Sequence, residues 1–259
     1  MIIGIIHKGS GIGDQLFSYI ATRVRAADLG VDFGFVGKEF FKGASFMNLD
    51  WGKHPDIYEY ETEYPSGKTI MKDNVCDIYE LNKPYYDPEF NFIPDYSVID
   101  GYGAQDIRYF EHRLGEVREW LKVEPLEVPD NKVICNIRGG EYRSVPELFL
   151  PREYWKTAYS NKIFDKVKWL EAEIHTDDLE LAKEWFRDVK AIKDIELNWR
   201  SVRYAKNAII SNSAFAIIPR LLAHLDNQRA VTIAPKYWAG RNVGEWRRPG
   251  NYYKKFTYI

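Results

Sequence analysis

Apolar residues first gather in a short run, IIGIIH, which predicts a buried strand over residues 2–7. Beyond a glycine-interrupted turn they recur at Ile12, Leu16, Ile20 and Val24, with Phe17 and Ala21 beside them. That spacing is one face of a helix. VDFGFV, residues 31–36, predicts a second strand, so the chain opens as a βαβ unit. Residues 40–95 lose this regularity. They are rich in aromatics, acids and turn residues and show no repeat, which predicts a functional surface or an inserted subdomain rather than coil. Residues 107–121 predict a helix, and VEPLEVPDNK (123–132), with two prolines, predicts a linker. Strand and helix patterns then alternate again: VICNI, KVKWLEAEIHT and NAIIS as strands, DDLELAKEWFRDV and NSAFAIIPRLLAH as helices, VTIAPK as a last strand. Such alternation predicts parallel sheets in an α/β protein. Two blocks of it predict two Rossmann-like domains, 1–127 and 128–259, facing each other across a cleft.

Composition narrows the classes. Hydrophobic residues are 45% of the 259 and aromatics 15%, enough to bury a core and exclude disorder. With 36 basic and 38 acidic residues, no strong field favours nucleic acid or an anionic membrane. No run approaches the ~20 apolar residues of a membrane span, and the opening residues lack a basic, signal-like start. Peripheral association with a membrane stays open. Cys76 and Cys135 lie far apart and outside any CxxC pair, which predicts reduced thiols and a cytoplasmic setting. His7, His54, His112, His175 and His224 show no metal-ligand spacing, so no metal is expected.

The opening loop, GSGIGDQ, invites a nucleotide reading. A dinucleotide fingerprint needs three glycines; Gly9 and Gly11 fit, but Asp14 holds the third place, with Asp32 as the later acid. A Walker loop is excluded, since no G-K-[ST] opens the helix. Backbone N–H groups at the helix start suit an anion or a sugar hydroxyl. The same glycines suit a tight turn and nothing more.

A longer pattern carries a resemblance. Gly11, Gly13, Asp14, Gln15, Leu16, Phe17, Tyr19 and Arg23 match G-x-G-[ND]-Q-[LM]-F-x-Y-x-x-A/T-R. Five further segments follow in order: Gly101, Tyr102, Gln105, Tyr109 and Phe110 in DGYGAQDIRYF, then NIRGGEY, HTDDLELAKEWF, IISNSAF and IAPKYW. Together they span nearly the whole chain and resemble glycosyltransferase family 11, the α-1,2-fucosyltransferases and their relatives. The resemblance implies a B-type glycosyltransferase fold of two Rossmann-like domains. It also implies a GDP-sugar donor held mainly by the C-terminal domain, a glycan hydroxyl as acceptor, and inversion without metal or other cofactor.

The candidate residues follow from that chemistry. Arg138, in the glycine turn after VICNI, can meet a diphosphate bidentately, and the resemblance gives it that role. Ser211, Asn212 and Ser213, with Phe215 behind them, stand where a strand gives way to a helix and can bind phosphate; Ser and Asn are also common helix caps. Of Asp177 and Asp178, one can read guanine N–H groups and the other cap a helix, with Asp177 well placed to cap. Asp14 and Glu141 are candidate bases for the acceptor hydroxyl, Asp14 also suiting a cap and Glu141 suiting a role in ordering the arginine turn. Gly11, Gly13, Gln15 and Asn136 complete the expected donor contacts. Departures from the family pattern cluster here: Asn136 for its His, Gly139 for its second Arg and Glu141 for its Asp. Pro219 interrupts a stretch that is tryptophan-rich in the family and predicts a kinked or shortened helix. These changes open the donor sugar beyond fucose. They also admit a non-catalytic glycan- or nucleotide-binding protein, and the glycine loop admits an NAD(P) enzyme.

Overall fold

A computed structural model of the chain describes residues 1–55, 70–71, 74–75, 77–81, 86–101, 103–164, 171–240, 244, 247 and 252–259. The chain divides into two compact units, Met1–Lys122 and Val123–Ile259.

The first unit is built on a parallel sheet ordered β2-β1-β6-β5. Its strands are β1 (Ile2–Ile5), β2 (Phe33–Val36), β5 (Ile78–Glu80) and β6 (Ser97–Asp100). Between β2 and β5 the two-residue strands β3 (Ile70–Met71) and β4 (Asn74–Val75) pair antiparallel. Residues alternate across β1 as a strand's pleat requires. Ile3 and Ile5 join Val98 in an apolar cluster backed by Val36 and Ile78. The other face meets helix α1 (Ile12–Leu29), whose Leu16, Phe17, Ile20 and Val24 are wholly buried. Gly4 permits this approach, because a Cβ there would lie 2.4 Å from Thr22 Oγ1.

The helix expected over 107–121 is only half formed. Two 3₁₀ turns, Ile107–Tyr109 and Glu111–Arg113, precede α2 (Leu114–Trp120). Phe110 leaves helical backbone between them (φ −142°, ψ 0°) and buries its ring 5.9 Å from that of Phe17. Tertiary packing outweighs the local periodicity here.

The second unit carries a six-stranded parallel sheet ordered β12-β11-β10-β7-β8-β9. Its strands are β7 (Val133–Ile137), β8 (Ala172–Thr176), β9 (Lys190–Ile192), β10 (Asn207–Ile210), β11 (Val231–Ala234) and β12 (Thr257–Tyr258). Helices α3 (Arg152–Tyr159), α4 (Leu179–Trp185), α5 (Ile195–Tyr204) and α6 (Ala214–Asp226) complete it. Val133, Cys135 and Ile137 point from one face of β7 into a core with Trp155, Ile174, Leu181 and Phe186. Cys135 is a free thiol there, and burial pushes its pKa up to about 12, so it is chemically quiet. Cys76, and Tyr102 of the second motif, lie outside the described residues.

The expected linker belongs to the second unit. Tyr204 Oη donates to the Val123 carbonyl at 3.0 Å, Arg200 Nη2 to Pro125 at 3.0 Å and Asn207 Nδ2 to Asp130 at 2.8 Å. The division therefore falls after Lys122 rather than after residue 127. Pro219 does not shorten its helix: α6 runs unbroken through it. Residues 216–224 are continuously buried, and Arg220 donates to the carbonyls of Val202, Ala205 and Val231, which holds the helix in place across the missing N–H. Among the described residues, no helix is long and apolar enough to cross a membrane.

Candidate functional site

In the second sheet the chain connections leave β7 and β10 toward opposite edges, so the strand order reverses between them; in the first sheet β1 leads outward to β2, and β6 is the last strand. In open parallel sheets, ligands bind outside the carboxyl ends of the strands at such a reversal.

At the reversal of the second unit, β7 delivers Arg138 and β10 delivers Ser211–Asn212–Ser213. Pairing in register, Asn207↔Val133 to Ile210↔Asn136, sets the two strand ends side by side. Arg138 Nη1 donates to Asp177, and Nη2 donates to Glu141 Oε1 at 2.6 Å. Tyr142 lies under the guanidinium, 5.1 Å from it to the ring centroid. The third nitrogen is different: Arg138 Nε is buried and has no hydrogen-bond partner. A buried donor left unpaired costs about 1–3 kcal/mol, so it marks a place where a ligand oxygen would be welcome.

The turn that carries Arg138 is fixed by the aspartate pair. Gly139 N–H donates to Asp177 Oδ1 at 2.8 Å and Gly140 N–H to Asp178 Oδ2 at 3.2 Å. Asp178, not Asp177, caps α4, its Oδ1 accepting from Leu181 N–H at 3.0 Å. Burial works against the Asp178 charge, but those two N–H bonds and Arg143 outweigh it and lower its pKa. Both aspartates are thus engaged by the glycine turn. Gly139 admits no side chain: a Cβ there would sit 2.5 Å from Asp178 Cβ. Gly140 has φ +43°, a left-handed conformation that favours glycine. The family's second arginine therefore has no room at position 139.

Across the reversal, Ser213 stands at the N-cap of α6 without capping it through its side chain. The capping role that its residue type suggested is not taken up. Asn212 Nδ2 donates to the carbonyls of Leu148 (2.7 Å) and Trp238 (2.6 Å), which fixes the amide's orientation. Its Oδ1 is buried and unpartnered, a waiting acceptor. Ser211 Oγ lies 3.4 Å from Asn136 Oδ1, both side chains buried, and Phe215 is half-buried in the first turn of α6. This end of the sheet thus presents an unpaired donor, an unpaired acceptor and a helix N-terminus, a set suited to a polar anion.

The strand ends of the first unit are furnished differently. Gly11 is the N-cap of α1 in extended backbone (φ −68°), and no side chain caps that helix. Gly13 is buried inside its first turn. Asp14 is also in that turn and accepts from Gln105 Nε2 at 2.8 Å, so it works within the turn rather than as the cap. Gln15 is committed to scaffold: its Nε2 donates to the His7 and Phe40 carbonyls (3.1 and 2.9 Å), and its Oε1 accepts from Lys42 N–H (3.0 Å). Sequence reasoning did not single out His7 beside these residues. His7 Nε2 and Asp100 Oδ1 lie 2.9 Å apart.

No family model matches the chain, and no curated protein matches it in sequence. Among solved structures it is similar to the α-1,6-fucosyltransferase NodZ soaked with GDP-fucose, with TM-score 0.46, 13% identity and coverage of 85% of this chain and 91% of that one. A second structure of NodZ, from Bradyrhizobium, gives 0.46, 14%, 85% and 92%. The E. coli heptosyltransferase WaaC with ADP gives 0.48, 12%, 100% and 93%. Likeness at this level fixes neither the sugar nor the linkage.

Proposed function

We propose that the chain is an inverting glycosyltransferase that moves fucose or a related hexose from a GDP-sugar to a glycan hydroxyl. The observation that carries the reading is Arg138, held at the carboxyl end of β7 with a buried, unpaired Nε–H. The resemblance of six ordered motifs to the α-1,2-fucosyltransferases supplies the donor class. In this reading Arg138 meets the negative charge that grows on the leaving diphosphate, with the first amides of α6 adding their dipole. Asn212 Oδ1 accepts from a donor hydroxyl or base N–H. Asp177 and Asp178 act by holding the arginine turn, and Asn136, Ser211, Ser213 and Phe215 line the same strand ends. Asp14 and Glu141 are the two carboxylates that this reading offers as the proton acceptor, one from each unit. The reaction needs no cofactor in this reading.

Binding tests it directly. GDP at about 100 times its Kd should stabilise the chain by about 2.7 kcal/mol by mass action, read as a rise in Tm, while NAD should leave Tm unchanged. GDP-fucose incubated with the protein should release GDP. Stabilisation by NAD and not by GDP would sink the reading.

A second reading has one observation in its favour. Position 139 cannot hold a side chain, so the contact made by the family's second arginine is missing. That favours a GDP-hexose other than fucose as donor, which a panel of GDP-sugars would reveal by the fastest GDP release.

A further inference from the structure

We propose that the segment from Ala234 to Ala239, clamped by β12, is a positioning element that turns Asn212 so that its amide oxygen, and not its N–H₂, meets the ligand. The inference rests on the transferase reading above and names what that oxygen selects: a nucleotide sugar with a hydroxyl or N–H at that point.

The segment lies in the last of the ordered motifs, IAPKYW, which has no role in the reading above. Topology sets it beside the site. β11 pairs in parallel with β10, from Asn207↔Val231 to Ile209↔Ile233, so the residues that follow Ala234 leave the sheet next to Ser211 and Asn212. Main-chain bonds hold it from two sides. On one side β12 pairs with β11, Ile233↔Thr257 and Ala234↔Tyr258. Ile259 continues that ladder: its N–H donates to the Ala234 carbonyl at 3.1 Å, and its carbonyl oxygen accepts from Lys236 N–H at 2.7 Å. Pro235, between those two anchors, has its φ fixed by its ring. On the other side Trp238 N–H donates to Arg247 at 2.7 Å, and Arg247 N–H donates to Ala239 at 3.0 Å. The Trp238 carbonyl is thereby set in place, and it accepts from Asn212 Nδ2 at 2.6 Å.

The amide's chemistry does the rest. Its nitrogen carries two donors and its oxygen is an acceptor only. Asn212 places both donors on carbonyls, those of Leu148 and Trp238, so the oxygen must face the other way. The side chain is 1% exposed, and Oδ1 has no partner. An ionised diphosphate offers only acceptors and cannot satisfy that oxygen. A hydroxyl or an N–H can, and a nucleotide sugar carries them on the hexose, the ribose and the base. Arg138 Nε and Asn212 Oδ1 therefore ask for different parts of one ligand. Were the Trp238 carbonyl to withdraw, one Asn212 donor would be orphaned and the amide would lose what keeps its oxygen toward the ligand. β12 acts through Asn212 and is a positioning element.

The test titrates the full chain with GDP, GDP-fucose and GDP-mannose, well below the Tm of every variant. Asn212→Ala should weaken at least one of the three about 10–100-fold. Deleting Ile259 removes the bonds to Ala234 and Lys236 and should weaken the same ligand about 3–10-fold. Ile259→Pro removes only the N–H and should weaken it less. The decisive measurement is the double-mutant cycle. In the Asn212→Ala background the deletion should change affinity by less than about twofold, because both changes act through one oxygen. Weakening of GDP itself assigns the hydroxyl or N–H to the nucleoside, and weakening confined to the GDP-sugars assigns it to the hexose. If the deletion costs as much affinity without the Asn212 amide as with it, β12 contributes only stability and the proposal is overturned. Parental affinity for all three ligands in either single variant overturns it too, and the transferase reading stands. If the parent binds none of the three, the transferase reading falls and takes the positioning element with it.

Discussion

The central strand ends of the two units differ in the side chains they collect. At β7 and β10 the side chains are an arginine with one idle donor, an asparagine with one idle acceptor, and a helix start. At β1 and β6 they are a histidine bonded to an aspartate, and an aspartate bonded to a glutamine. In the reading proposed above, the first of these ends meets negative charge. Both sheets are parallel, but only the second reverses its strand order between neighbouring central strands, at β7 and β10. Which ligand goes there is decided by a few residues just past the strand ends.

The largest expected effect breaks this comparison if it is wrong. Arg138→Ala should cost about 10²–10³-fold in transfer, near 3 kcal/mol, and should weaken GDP binding. Asp14→Asn should leave GDP affinity unchanged and cost transfer less than about tenfold, since the amide keeps an acceptor for Gln105. Isothermal titration with GDP reads both. Should Asp14→Asn weaken GDP while Arg138→Ala does not, the two ends have exchanged roles.

Acid should distinguish the units by stability. Burial, with Arg220 and Lys255 adding to it, lowers the pKa of His224 in the second unit from 6.5 to about 4. Between those values the unfolded chain binds a proton that the folded chain refuses. The contribution is therefore complete above pH 6.5, falls as pH drops toward 4, and is flat below. At 1.36 kcal/mol per unit the loss is about 3 kcal/mol at most. Glu173, in β8 of the same unit, is held below the ordinary carboxylate range chiefly by its bond to His175, then by Lys190 and Lys132, so its contribution disappears only in stronger acid. Calorimetry from pH 7 to 4 should show Tm falling for the parent and falling less for His224→Leu.

A smaller effect sharpens the account of the arginine turn. Gly139→Ala forces a Cβ to within 2.5 Å of Asp178 Cβ, so the turn must shift. The expected loss is about 1–3 kcal/mol, seen as a lower Tm together with weaker GDP binding. A variant with parental Tm and affinity would mean that the turn tolerates a side chain and that the missing arginine needs another explanation.

Much of this was legible in the sequence, for physical reasons that also explain the rest. β1, α1, β2 and the strands and helices around β7, β8, β10, α6 and β11 announce themselves because each buries a continuous apolar face. Arg138, Asp177, Asp178 and Asn212 were readable because they lie in contiguous motifs. β6 was not foreseen: SVID is only four residues long and follows an irregular stretch. Missing it hid the His7–Asp100 pair, whose members are 93 residues apart and meet only through strand pairing. Single-residue roles were also beyond local patterns. Asp177 and Asp178 both look like caps in sequence, and only the position of the glycine turn decides between them. Gln15 looks like a ligand contact, yet its amide is consumed by three backbone groups.

The smallest effect concerns Glu141, which the sequence marks as base or as organiser of the turn. Its carboxylate is 71% exposed and bonds Arg138 Nη2 at 2.6 Å, on a guanidinium that Asp177 already neutralises. A diphosphate arriving at Arg138 must compete with Glu141 for that nitrogen. Exposed ion pairs are worth about 0.2–1 kcal/mol, so removing the competitor should help GDP by only a small factor. Glu141→Gln is expected to tighten GDP about two- to fivefold by titration, with kcat nearly unchanged. A base at this position would give the opposite pattern, parental GDP affinity with kcat down about a hundredfold or more. The sign of the affinity change thus decides whether Glu141 acts as a competitor for Arg138 or as a base.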